Sequence, residues 1–118
     1  MNLMICLNIL KKIKKIIKIG WIKMKGYWIA IYEEVRNVEK LKEYAVKAKE
    51  AVIKFSGKFI VRGGKNIVNE GIKYPRTVVV EFPDLDSATK CYNSKEYQEA
   101  HEILKGHVKR SHQIIEGT

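Results

Sequence analysis

Met24-Lys25-Gly26-Tyr27-Trp28-Ile29-Ala30 is the stretch at which the chain changes character. From Gly26 to Glu33, aromatic and β-branched residues (Tyr27, Trp28, Ile29, Ile31, Tyr32) predict a strand. Upstream, residues 1–23 carry six lysines and no acidic residue. On a helical projection Lys11, Lys12, Lys14, Lys15 and Lys18 gather on one side with Asn8. Ile5, Ile9, Leu10, Ile13, Ile16 and Ile17 gather on the other, and Trp21 follows. A basic amphipathic helix of this kind suits an anionic membrane surface. It is a poor secretory signal, because the lysines follow the apolar stretch and no small-residue cleavage site is present. Lysines also interrupt it too often for it to span a bilayer. The Ile, Lys and Asn bias favours instead a translated AT-rich upstream region, a start-site artefact with Met24 as the working start, and a tail without function is the third reading. Residues 1–23 are therefore read as a leader and 24–118 as one domain, with a membrane partner expected only if the leader is retained.

The split changes the meaning of the net charge of +10. Without the leader's lysines, 17 basic groups face 13 acidic ones, so the domain is only mildly basic. That weakens any nucleic-acid reading of the overall charge. A domain of about 100 residues buries roughly two-thirds of its unfolded surface, so pairing of subunits would add useful burial. Cys6 and Cys91 show no paired or CxxC spacing, which makes a reducing, cytoplasmic compartment the default. Cys91, in an apolar position of a predicted helix, reads as a small hydrophobe in preference to a catalytic thiol.

Beyond the first strand, Asn37 is placed to cap a helix running to about Phe55, with Val38, Leu41, Ala45, Ala48, Val52 and Phe55 as its buried stripe. Gly57 is expected to end it. Lys58 to Arg62 is a second strand closed by Gly63-Gly64, with Asn66 to Glu70 as its continuation after a bend. Arg76 to Phe82 is a third, stopped by Pro83. Asp84 or Asp86 caps a second helical region, which Asn93-Ser94 interrupts before it resumes to about Leu104. His112 to Glu116 is a short last strand. The order β-α-β-β-α-β is the ferredoxin-like arrangement, an α+β fold with a four-stranded antiparallel sheet.

Helices on one side of such a sheet leave its other face to water, and that face should then be polar. Val78-Val79-Val80 and Trp28-Ile29-Ala30-Ile31-Tyr32 are instead apolar on both faces. Something covers the second face, and a second copy of the same sheet is the simplest cover. The expected partner is thus a homodimer packed sheet to sheet.

Taken together, Lys25-Gly26-Tyr27-Trp28-Ile29-Ala30, Gly57 to Gly64, Arg76 to Pro83, Ser94-Lys95-Glu96-Tyr97-Gln98 and Ile114-Ile115-Glu116-Gly117 resemble the family known as domain of unknown function 1330. The resemblance covers residues 24–118. It implies the dimeric α+β barrel shared with antibiotic-biosynthesis and haem-degrading monooxygenases, and it implies no activity. The chain departs from the common pattern in the basic stretch Lys105 to Arg110 and in Cys91-Tyr92.

The candidate ligand-binding residues are Arg62 and Arg76, at strand ends beside Gly or Pro turns, and Tyr27, Tyr92 and Tyr97. Arginine at such a position grips a carboxylate or phosphate bidentately, unless it is spent on Glu70 or Glu81 to fix register. Tyrosines with Trp28 could frame an aromatic pocket between sheet and helices, or simply pack with their hydroxyls tied to backbone. His101, His107 and His112 are offset by six and five residues, which is no metal spacing, so no metal is expected. His101 is the candidate general base. No cofactor motif is present. No RNA partner is expected, because valines stand where an RNA-recognition sheet shows aromatics. The functional expectation is a protein that holds a small anionic or aromatic metabolite. The alternatives are a non-catalytic module with a packed interior, or a cofactor-independent monooxygenase or isomerase-like enzyme.

Overall fold

A computed structural model describes residues 8, 9, 11 and 24–118. The leader helix and Cys6 otherwise lie outside the described residues. The elements are β1 (Gly26–Val35), α1 (Val38–Lys54), β2 (Lys58–Arg62), β3 (Arg76–Phe82), α2 (Leu85–Asn93), α3 (Lys95–Leu104) and β4 (Val108–Glu116). The sheet is antiparallel in the order β2-β3-β1-β4. This is the ferredoxin-like α+β topology that the element order predicts.

The helix starts follow from side-chain capping. Asn37 accepts from the Lys40 amide at 3.1 Å, Asp84 from Ser87 at 2.7 Å, and Ser94 from Tyr97 at 3.1 Å. Each cap satisfies an amide that the first turn leaves without a partner. Ser94 thus separates α2 from α3. The end of α1 differs from expectation. The left-handed residue is Ser56 (φ 63°), and Gly57 matters for space. A Cβ on Gly57 would lie 2.6 Å from Val52 Cγ1 and 2.7 Å from Phe82 Cε1. The buried stripe of α1 also shifts, since Val38 is exposed while Tyr44 and Ala51 are buried.

Two strands depart from their predicted limits. No strand forms over 66–70, because Gly63 and Gly64, both at positive φ, turn the chain away and β2 ends at Arg62. β4 starts at Val108, four residues before His112, pairing Arg110 with Tyr32 and Val108 with Val35 around a bulge between Tyr32 and Glu34. The charged Lys109 and Arg110 hid this early start.

The core lies between the sheet and the helices. Trp28, Val80 and Phe82 meet Val52, Ala88, Tyr97 and Leu104 there. The Trp28 indole N–H donates to the Ala88 carbonyl at 2.9 Å, and its ring lies 4.8 Å from Tyr97 and 5.0 Å from Phe82. Burying a ring of this size stabilises the fold by about 3 kcal/mol. The opposite face of the sheet carries Tyr27, Ile29, Ile31 and Val79, all half-buried, with Val61 and Ile115 exposed.

Candidate functional site

Strand register sets polar groups into rows on the helix-facing side of the sheet. Tyr32 pairs with Arg76 on one flank and Arg110 on the other, giving the row Arg110–Tyr32–Arg76. The next row is His112–Ala30–Val78–Arg62. Arg62 reaches this face because β2 bulges between Phe59 and Val61, so Phe59 and Arg62 turn the same way despite their odd spacing.

Above these rows, small residues leave space. Ala30 and Val78 form the floor, with Leu41, Tyr44, Ala45 and Ala48 of α1 as the roof. The result is a cavity of about 50 Å³, closed at its far end by Trp28, Val80 and Val52. A water needs roughly 10–15 Å³ of such space, so several would fit.

Donors dominate the polar end. Arg110 Nη1 donates to the hydroxyls of Tyr32 (3.1 Å) and Tyr44 (3.2 Å), and Nη2 to that of Tyr97 (2.7 Å). The Tyr44 and Tyr97 hydroxyls are 2.7 Å apart. Tyr97 is fully buried while Tyr44 lines the cavity, and either hydroxyl can donate to the other. The Tyr32 hydroxyl accepts from Arg110 and has its proton free for the cavity that it lines. Burial pushes all three phenols above their ordinary range, so they stay neutral. The Tyr32 phenol feels the charges of both Arg110 and Arg76. Arg76 Nε is buried with no hydrogen-bond partner. Arg62, exposed at the mouth, lies 3.8 Å over the Phe59 ring. Among the described residues none of these three arginines forms an ion pair with a carboxylate.

His112 lines the same cavity, its ring 5.0 Å from those of Trp28 and Tyr92. Burial, and then the Arg110 charge, lowers its pKa to about 4, so it is neutral at ordinary pH. The groups facing it are Arg110 on its own strand, Trp28 on β1, Tyr92 on α2, and His101 and Tyr97 on α3.

The residues singled out in the sequence are thus distributed unevenly. Arg62 and Arg76 line the cavity. Tyr97 stands behind it and holds Arg110, while Tyr92 packs between His112 and Tyr97. Tyr27 is on the opposite face, where strand alternation sends it, and its hydroxyl donates to Glu81 at 3.2 Å. His101 stacks on Tyr97 outside the cavity, its pKa lowered by burial and then by Arg110. Sequence reading missed Arg110, His112, Tyr32 and Tyr44. The i, i+2 spacing of Arg110 and His112 becomes a signal only once β4 is known to begin at Val108. Cys91 is buried, its thiol donating to the Ala51 carbonyl at 3.6 Å, and burial pushes it up to about 12, so it is no nucleophile. Among the described residues no three His, Cys, Asp or Glu side chains cluster as metal ligands would, and no helix is long and apolar enough to cross a membrane.

Solved structures with this fold include a protein of unknown function from Rhodopseudomonas palustris (TM-score 0.68, 11% identity, 92% of this chain and 93% of that one). A candidate antibiotic biosynthesis monooxygenase from Caulobacter crescentus is similar at TM-score 0.56 and 6% identity, over 88% and 98% of the two chains. A dimeric ferredoxin-like protein of unknown function from Thermobifida fusca is similar at TM-score 0.50 and 13% identity, over 83% and 96%. No curated protein matches the sequence. The family described as "Domain of unknown function (DUF1330)" matches residues 25–118, essentially the whole ferredoxin-like domain, and the chain belongs to that family.

Proposed function

We propose that the protein binds a small organic anion, a carboxylate head on a short apolar body, in the cavity between the sheet and α1. The observation that carries this reading is the buried Arg76 Nε–H without a partner, in a cavity whose two other arginines also lack a carboxylate. A buried donor left unmet costs about 1–3 kcal/mol, and an acceptor on a ligand removes that cost. The head would take the Arg110–Tyr32–Arg76 row, and the body would lie over Ala30 and Val78 toward Trp28.

The working form is a homodimer joined through the Tyr27–Ile29–Ile31 face of the sheet. The apolar character of that face supports it, as does the dimeric Thermobifida fusca protein of the same fold. The buried unpaired thiol of Cys91 accords with a cytoplasmic location.

Thermal denaturation with butanoate and with butanamide, its uncharged analogue, tests the binding reading. Butanoate should raise the melting temperature saturably and butanamide should not. Equal effects, or none from butanoate, would overturn it.

A further inference from the structure

The polar groups of the cavity are lopsided. Arg62, Arg76 and Arg110 only donate, the Trp28 N–H is committed to Ala88, and the Tyr32 and Tyr44 oxygens already accept from Arg110. His112 is the exception. Among the described residues its ring nitrogens have no hydrogen-bond partner, and a neutral imidazole keeps one nitrogen free to accept a proton. It is the one unengaged side-chain base in an enclosure otherwise built of donors.

Its position relative to those donors matters. His112 follows Arg110 by two residues on β4, about 6–7 Å further along the strand. A head group on the Arg110–Tyr32–Arg76 row therefore leads its next carbons over Ala30, directly beside His112. The donor supply also exceeds what one carboxylate takes up. Arg76 Nε–H, the Tyr32 proton and the N–H groups of Arg110 not spent on phenols can serve a carboxylate and a neighbouring carbonyl oxygen together.

Building on the anion-binding reading, we propose that this site catalyses proton transfer at the carbon beside the carbonyl of a short 2-oxo acid, with His112 as the base. The free nitrogen of His112 takes a proton from C3, breaking the C3–H bond. That electron pair forms the C2=C3 bond, and the carbonyl π pair moves onto the C2 oxygen. The resulting enolate oxygen is held by the Tyr32 proton and the Arg110 guanidinium, donors already fixed before the reaction. The imidazolium then returns its proton to C3 or to the oxygen, giving the keto or enol form. No oxidant, metal or second substrate enters the balance.

The test follows the C3 methylene signal of 2-oxobutanoate in D2O by proton NMR with the full chain, while the melting-temperature shift reports binding. The expected result is exchange roughly 10²-fold or more above buffer alone. His112→Gln should fall to the buffer rate while butanoate still shifts its melting temperature. If 2-oxobutanoate binds saturably but exchanges no faster than in buffer, or H112Q exchanges at the wild-type rate, the base assignment is overturned and anion binding stands. If neither 2-oxobutanoate nor butanoate shifts the melting temperature, both readings fall. Should H112Q fail to fold, nitrogen-15 shifts of the His112 ring in the wild-type protein decide: they should move on adding 2-oxobutanoate, and an unmoved ring overturns the proposal.

Discussion

The hydroxyls of Tyr44 on α1 and Tyr97 on α3 lie 2.7 Å apart and share one guanidinium, that of Arg110. Two helices are thereby tied to the edge strand β4 through a cation that has no carboxylate partner among the described residues. The phenols replace part of the hydration that burial removes from Arg110 and hold its planar fork in place.

Tyr97→Phe removes one acceptor from Arg110 and the hydrogen bond between the Tyr44 and Tyr97 hydroxyls. The loss should be about 1–2 kcal/mol in urea denaturation, since a hydrogen bond to a charged group is involved. The butanoate-induced shift should also shrink, because Arg110 loses an anchor.

Arg76→Met should act in the opposite direction. It deletes a buried N–H that has no partner, so the unliganded protein should gain about 1 kcal/mol or more by thermal or urea melting. The same variant should lose its response to butanoate. A destabilised variant would show that Arg76 serves the fold.

Acidification should cost stability through His112. Its folded pKa of about 4 lies below the ordinary 6.5, so the unfolded chain binds more protons between those values. The stabilisation is complete above about pH 6.5 and is lost as pH falls toward 4, amounting to about 2 kcal/mol by about pH 5. His101, also lowered, adds to the same slope. Urea melts of His112→Gln should show a visibly flatter dependence over that window.

At the end of α1, neighbouring substitutions should have opposite signs. Ser56→Gly relieves a left-handed residue that carries a Cβ and should stabilise by about 0.5–1 kcal/mol. Gly57→Ala drives a methyl group into Val52 and Phe82 and should cost about 1–3 kcal/mol. Paired thermal melts check both.

A charge on the uncovered face should separate the proposed subunits. Ile31→Glu places a carboxylate between Thr77 and Ser111, away from the cavity. Light scattering coupled to size exclusion should then give a monomer mass where the wild type gives a dimer. A wild-type monomer would refute sheet-to-sheet pairing.

The fold was legible because its signals are local. Asn37, Asp84 and Ser94 each announce a helix start, and β1 and β3 are dense in β-formers. The site was only half legible, because it depends on register. Arg62 and Arg76 sit beside turn residues and draw attention, whereas Arg110 looked like part of a basic loop until its pairing with Tyr32 extended β4. Tyr27 and Tyr32 are equivalent by composition, yet their odd and even places send one to the outer face and the other into the cavity. Even Arg62 faces inward only through a bulge, which composition does not reveal.

Ala30, Ala45 and Ala48 supply no chemistry, yet the room between floor and roof is theirs. Enlarging any one of them would trim the chain length a guest can have while leaving every charged group untouched. Selectivity for size and selectivity for charge are thereby encoded at separate positions, free to diverge independently among descendants of this chain.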